Sequence, residues 1–314
     1  MNKIGIIGDT GIVGSELEII LSCHPWVEVT YKKNSHRVEG NLDDVDLVFL
    51  ATKADLSMVE APHLLGQEKK VIDMSGAYRL PREQFEEWYG TLHISSELIS
   101  DAVYGMPALN GDQIFGAELI ANPGCYATSI ILALYPLVKS GLVLPECTVV
   151  ATSGISGAGE TPWKSSDEVA YSYGRNHQHV PEVEVNLGLE YGFNFVSFTP
   201  IVLKSVYSGL TACISTELNG SFENSNSSTE AELKDCMASF YLGDETIEIY
   251  TFSEAPDLGT GSVNRTPNLK VKIGVDGRSV TLVSILDNLG KGAASQAVEN
   301  MNLMLGYQRL TGVY

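Results

Sequence analysis

Apolar residues run almost unbroken through the early segments of the chain. Lys3 to Ile7 predicts a buried strand, followed by a glycine turn and an apolar helix from about Val13 to Cys23. Trp26 to Tyr31 predicts a second strand, and Asp46 to Thr52 and Lys70 to Met74 a third and a fourth, with helical spacing over Ala54 to Gly66 between them. Strands that are continuously apolar, alternating with helices, predict a parallel sheet covered on both faces. Ile120-Ala121 reads as one more strand, and Ala127 to Tyr135 as a long apolar helix.

Beyond Cys125 the period changes. Glu146 to Thr152, Phe195 to Thr199, Val206 to Thr216, Thr246 to Thr251, Leu269 to Val275 and Ser279 to Leu286 read as strands. Several alternate apolar and polar positions and are joined by turns such as Val275-Asp276-Gly277-Arg278, which predicts antiparallel pairing. Helices are predicted over Pro181 to Tyr191, Thr229 to Tyr241 and about Ala293 to Leu305, and Asn219 to Ser228 reads as an exposed polar loop. The expectation is an α/β chain: a dinucleotide-type N-terminal domain, then a mixed α+β domain.

Composition narrows the function. The chain has 314 residues, 44% of them hydrophobic and 19% charged, enough for a sizeable core. Its net charge of −19 argues against a nucleic-acid partner, which would need clustered Lys and Arg, and demands a locally basic pocket for any anionic substrate. No run approaches a membrane span, and Met1 leads straight into a strand without a leader, so a cytoplasmic location is expected. Cys23, Cys125, Cys147, Cys213 and Cys236 include no C-x-x-C pair, so neither a disulfide framework nor a metal site is expected.

Two local patterns carry chemistry. Gly8-Asp9-Thr10-Gly11-Ile12-Val13-Gly14 joins the first strand to the first helix, where glycines let the backbone approach a pyrophosphate and helix N–H groups face the anion. The second strand ends Tyr31-Lys32-Lys33-Asn34-Ser35, where Lys32 and Ser35 suit a 2′-phosphate and predict NADPH rather than NADH. In Asn122-Pro123-Gly124-Cys125-Tyr126, Pro and Gly break a strand just before a helix, which puts the Cys125 thiol where the helix dipole and orphan N–H groups favour a nucleophilic thiolate.

A thiolate needs a base. His177 and His179, in Asn176-His177-Gln178-His179-Val180-Pro181-Glu182, are the candidates. Pro181 is expected to begin a helix and Glu182 to hold the His179 ring. Two residues apart, the imidazoles would face opposite ways on an extended chain, so only one is expected at the sulfur; His179 is preferred and His177 stays open. Ser153-Gly154-Ile155-Ser156-Gly157-Ala158-Gly159 lacks a G-x-S-x-G elbow but is expected to offer backbone donors to a phosphate or carbonyl oxygen.

Together with DMSGAYRL (Asp73 to Leu80), YGMPALN (Tyr104 to Asn110), ANPGCYAT (Ala121 to Thr128), HQHVPE and DNLGKGAASQAVENMNLMLG (Asp287 to Gly306), these motifs resemble the N-acetyl-γ-glutamyl-phosphate reductase family along nearly the whole chain, and its shorter branch in particular. The resemblance implies a Rossmann-type dinucleotide-binding domain over residues 1–123, completed by the C-terminal helix 290–314, and a glyceraldehyde-phosphate-dehydrogenase-like catalytic and oligomerisation domain over 124–289. It implies NADPH-dependent reduction of a small anionic acyl phosphate to an aldehyde through a thioester on Cys125, in a homodimer or homotetramer. It places Asn288 near the nicotinamide and Ser75 and Arg79 near the active-site cleft; Arg79, Arg175 and Lys204 are the cations expected near the substrate phosphate or carboxylate. Ala77, Ala108 and Ile201 depart from residues common in the family. Aspartate-semialdehyde dehydrogenase, a reductase acting on carrier-linked aminoadipate and an inactive nucleotide-binding regulator are the competing readings.

Overall fold

The computed structural model describes residues 1–157, 168–220 and 225–314, which divide into two units, 1–124 with 292–314 and 125–291. In the first unit the continuous apolar stretches become interior strands. Its elements are β1 (Asn2–Ile7), α1 (Ile12–Ser22), β2 (Val27–Lys33), β3 (Val38–Glu39), β4 (Leu47–Leu50), α2 (Ala54–Leu65), β5 (Lys70–Asp73), α3 (Arg82–Tyr89), β6 (Val103–Tyr104), α4 (Pro107–Ile114) and β7 (Leu119–Ala121). The strand order is β3-β2-β1-β4-β5-β7-β6, parallel throughout except for β3, which pairs antiparallel with β2. This is the doubly wound sheet the pattern predicts, and all four residues of β4 are buried.

The short elements β3, α3, β6 and α4 escape the sequence reading. Two-residue strands carry no period, and half of the residues of α3 are charged, with Phe85 its main apolar anchor. Proline at the first position of α4 is well placed, because that N–H has no helical partner to lose.

The second unit comprises α5 (Cys125–Lys139), β8 (Cys147–Gly154), β9 (Val169–Ala170), α6 (His179–Asn186), β10 (Val196–Leu203), β11 (Leu210–Glu217), α7 (Asn226–Phe240), β12 (Ile247–Thr251), β13 (Leu269–Asp276) and β14 (Ser279–Leu286). Its sheet runs β12-β13-β14-β11-β8-β10-β9 and is mixed: β8 pairs parallel with β10 and β12 with β13, while β14 pairs antiparallel with β13 and β11. Burial alternates along β8 and β11, so one face packs on α5 while Thr148, Val150, Cys213 and Ser215 face outward.

Pro136 lies inside α5 and cannot donate to the Leu132 carbonyl four residues earlier. The Tyr241 hydroxyl donates to that carbonyl instead, at 2.8 Å, so the helix continues through the proline with its backbone satisfied. Several boundaries differ from expectation, three of them for a visible reason. Helix α6 starts at His179, which makes Pro181 its third residue, still within the turn whose N–H groups have no helical partners. Helix α7 starts at Asn226 because Ser225 caps it, accepting from Ser228 N, so the predicted polar loop is shorter; residues 221–224 lie outside the described set. Strand β11 begins only at Leu210, because Val206 to Gly209 form a turn.

A π-helical turn over Gly290–Ala294 leads into α8 (Ser295–Met304). Ala297, Val298, Met301 and Met304 join Ile4, Phe49, Ile72 and Ile120 in the core of the first unit. Polar residues of α8 are buried too, and two of them tie the C-terminal segment down: Asn302 donates to the Arg309 and Thr311 carbonyls, and Glu299 meets Arg309 at 3.4 Å.

Candidate active site and cofactor turn

The glycine turn is shaped by what cannot be there. Gly8 has φ +92°, and a Cβ on it would lie 2.3 Å from the Ala51 carbonyl oxygen. A Cβ on Gly14 would lie 2.2 Å from the Gly8 carbonyl oxygen. Gly11, the N-cap of α1, meets nothing closer than 3.4 Å, and it and Thr10 are exposed, with Ile12 beside them and Val13 half-buried. The closed side of the turn is therefore packed backbone and the open side is exposed helix N-terminus. A dinucleotide pyrophosphate fits this cradle.

At the end of β2 the expected charges are partly spoken for. Lys32 is ion-paired with Glu18 at 2.9 Å, so its ammonium is not the ready phosphate ligand the sequence suggests, while Ser35 is exposed. Arg37 was missed. It reaches this place because β3 folds the chain back, and its guanidinium lies 2.6 Å from Asp9 and 2.7 Å from Glu39. No local pattern could have flagged it, since a two-residue strand makes the turn.

Ser75 and Arg79 are committed elsewhere. The Ser75 hydroxyl donates to Asp73 at 2.8 Å and accepts from Ala77 N, which closes a local turn on a fully buried carboxyl whose pKa burial raises. Arg79 Nε donates to the Asn122 carbonyl at 2.7 Å and Nη2 to the Met74 carbonyl at 2.8 Å. It braces backbone where a substrate ligand was expected. Asn122, two residues before Gly124, is held further by Asn300 at 2.9 Å and by its own N–H on the Asp73 carbonyl at 2.8 Å.

Cys125 is the first residue of α5, and its thiol, in no disulfide, is half-buried. Tyr126 beside it is the hub of an aromatic cluster. Its ring meets His177 and His179 at 5.8 Å each and Phe198 at 5.0 Å. Tyr171 packs on His177 at 5.7 Å. Cys125 is near enough to act electrostatically on the phenols of both Tyr126 and Tyr171, though burial is the main cause of their raised pKa values; that of Tyr171 is pushed up to about 12. Tyr171 carries no sequence signal, being one aromatic among several.

The two imidazoles do not diverge, contrary to the extended-chain expectation. Gln178 is helical (φ −59°, ψ −19°), so the chain turns between them and the rings meet at 4.6 Å. His177 Nδ1 accepts from the His179 backbone N–H at 3.1 Å. Burial, aided by neighbouring His179 and opposed by Glu182, lowers the His177 pKa to about 3. Glu182 is fully buried, with its carboxylate 3.9 Å from His179 Nε2.

Three further expectations meet occupied groups. The backbone N–H groups of Gly154, Ile155 and Ser156 donate to the Gly209, Val206 and Tyr207 carbonyls, so they are not open to an anion, and the Ser153 hydroxyl donates to the Gly154 carbonyl. A Cβ on Gly154 would lie 2.4 Å from the Tyr207 carbonyl oxygen, so this glycine serves strand packing. Ala158 and Gly159 of the same run lie outside the described residues. Asn288 is buried, accepting from Gly209 N at 2.7 Å and donating to Ser156 Oγ at 2.9 Å, which spends its amide on two turns. Arg175 grips Glu184 at 2.5 and 3.0 Å and the Val196 carbonyl, while Lys204 is half-buried just past β10.

Residues 33–117 match the family model of a semialdehyde dehydrogenase NAD binding domain, and residues 125–288 that of a semialdehyde dehydrogenase dimerisation domain. The chain is 36% identical to an N-acetyl-gamma-glutamyl-phosphate reductase of Thermus thermophilus, over 99% of this chain and 98% of the relative. It is 32% identical to one of Laribacter hongkongensis, over 100% and 98%. Among solved structures it resembles aspartate semialdehyde dehydrogenase II of Vibrio cholerae (TM-score 0.71, 17% identity, 97% of this chain and 98% of that one). It also resembles the NADP-bound aspartate semialdehyde dehydrogenase of Candida albicans (TM-score 0.70, 19% identity, 96% and 98%). At these identities the solved structures speak to the fold alone. No helix among the described residues is long and apolar enough to cross a membrane.

Proposed function

Because the chain belongs to the N-acetyl-γ-glutamyl-phosphate reductase family, we infer that it reduces N-acetyl-γ-glutamyl phosphate to N-acetylglutamate γ-semialdehyde with NADPH and releases phosphate. The observation that carries this reading is one thiol at the first position of an apolar helix, joined through Tyr126 to two imidazoles and a buried carboxylate. We assign dinucleotide binding to residues 1–123 with 290–314, and catalysis and assembly to 124–289. The enzyme works as a cytoplasmic homodimer or homotetramer.

Gly8, Gly11 and Gly14 hold the cofactor, which when bound supplies the hydride. Cys125, as thiolate, forms a C–S bond to the γ-carbonyl carbon; the C–O bond to phosphate breaks and its electron pair leaves with the phosphate. His179 gives that leaving group its proton, a contribution on the order of 10²–10⁴-fold. After reduction, the tetrahedral adduct expels the Cys125 thiolate and the aldehyde departs. His177 is the poorer acid: burial keeps it neutral, and its Nδ1 is taken by the His179 N–H. Glu182 orients His179. Lys204, half-buried just past β10, is the cation we carry forward for the anionic substrate.

The test is phosphate-dependent reduction of NADP⁺ with N-acetylglutamate semialdehyde and, side by side, aspartate semialdehyde. Turnover of the first alone is expected. Turnover of only the second would transfer the chain to the other activity, and turnover of neither would end the enzyme reading.

A further inference from the structure

Asp9 stands inside the glycine turn, yet it does not face outward. It is 3% exposed, and both carboxylate oxygens are occupied by the loop that follows β2. Oδ1 accepts from Asn34 Nδ2 at 2.9 Å and Oδ2 from Arg37 Nη2 at 2.6 Å. One residue earlier, Gly8 N donates to the Lys33 carbonyl at 2.7 Å, so main chain and side chain tie the same two segments together.

The loop is also closed upon itself. Asn34 Oδ1 accepts from His36 N at 2.9 Å and Arg37 N at 3.1 Å, while Asn34 N donates to the Arg37 carbonyl at 3.0 Å. Arg37 Nη1 meets Glu39 at 2.7 Å. The result is a tight turn with Ser35 and His36 exposed at its tip and one guanidinium fixed at its base. Burial raises the Asp9 pKa, but the bonds from Arg37 and Asn34 outweigh it and hold the carboxyl below its usual range, so it stays ionised.

Sites that select NADH aim an acidic oxygen at the ribose 2′-hydroxyl. Asp9 is an acid at the cofactor turn whose oxygens are spent on protein donors. We propose that Asp9 is a positioning residue for cofactor selection: it locks the Asn34–Arg37 turn in a shape that receives an adenosine 2′-phosphate, and it withholds its own carboxylate from a 2′-hydroxyl. The proposal rests on the NADPH reading above.

Calorimetric titration of the full-length protein with NADP⁺, NAD⁺ and adenosine 2′-phosphate tests it without turnover. Wild type binds NADP⁺ more tightly than NAD⁺. Asp9→Asn weakens NADP⁺ and adenosine 2′-phosphate about tenfold, the scale of a charged hydrogen bond. It leaves NAD⁺ within about twofold. In an Arg37→Met background, Asp9→Asn has no further effect. Asn34→Ala, which cuts the second tie from the half-exposed side, moves NADP⁺ in the same direction and covers the case in which Asp9→Asn does not fold. Unchanged or tighter NADP⁺ binding in Asp9→Asn, or equal loss for both dinucleotides, sinks the lock alone. A wild type that prefers NAD⁺ sinks the NADPH reading and the lock with it.

Discussion

Around Gly8 to Gly14 the working surface is main chain, and what matters is the space where side chains are missing: a Cβ at either end would collide with a carbonyl oxygen at 2.2 to 2.3 Å. Around Cys125 the working surface is side chain. Tyr126 from α5, Tyr171 after β9, His177 and His179 at the start of α6 and Phe198 in β10 converge from four separate segments. A backbone site is written in consecutive residues, so a seven-residue pattern exposes it. A side-chain site is written in the topology, and each fragment shows only part of it. The two also fail differently: the first through crowding, the second through loss of a single atom.

The sharpest way to separate them is Cys125→Ser. Turnover is expected to fall by at least about 10³-fold, because the hydroxyl is a far weaker nucleophile than a thiolate. NADP⁺ affinity, measured by calorimetry, should not move. A variant with near-normal turnover would remove the covalent step, and one that also lost NADP⁺ would show that the two sites cannot be treated separately. The converse change is Gly14→Ala. Fitting a methyl against the Gly8 carbonyl costs about 1–3 kcal/mol, which read on the cofactor is roughly tenfold to a hundredfold in affinity. Alkylation of Cys125 in the cofactor-free protein should keep its wild-type rate. Undiminished NADP⁺ binding would mean that the turn does not need its glycines.

The same contrast decides what could be read in advance. The parallel sheet, the glycine turn and the Cys125 helix start were legible because each is local: apolar runs, glycine spacing, a Pro-Gly break. The histidine pair was found, but its geometry was misjudged, because helix α6 begins at His179 and turns both rings to one side. Arg79, Arg175 and Asn288 were assigned to ligands on charge or resemblance. The partners of Arg175 and Asn288 lie 9 to 132 residues away along the chain and those of Arg79 are two main-chain carbonyls, and no spacing rule reveals such partners. Arg37 and Tyr171 were invisible for the same reason. Titratable side chains are the least legible part of a sequence, since their role depends on which donor or acceptor the fold brings to them.

The finest test concerns a group that the cysteine site keeps uncharged. His177 has an ordinary pKa of 6.5, and burial lowers it to about 3 in the folded chain. Between those values the unfolded chain binds a proton that the folded one excludes. The stabilising share of neutral His177 is therefore complete above about pH 6.5 and is lost progressively as pH falls toward 3, with a slope of at most about 1.4 kcal/mol per pH unit. His24 and His93 in the first unit are shifted the same way by burial, so wild type should lose stability in acid on account of all three. His177→Asn keeps an acceptor for the His179 N–H but has no proton to gain. Its urea midpoint should fall less steeply than wild type from pH 6.5 to 4.5, with the shares of His24 and His93 still present. Parallel slopes in the two proteins would mean that His177 is charged in the folded state, and the assignment of proton transfer to His179 would lose its support.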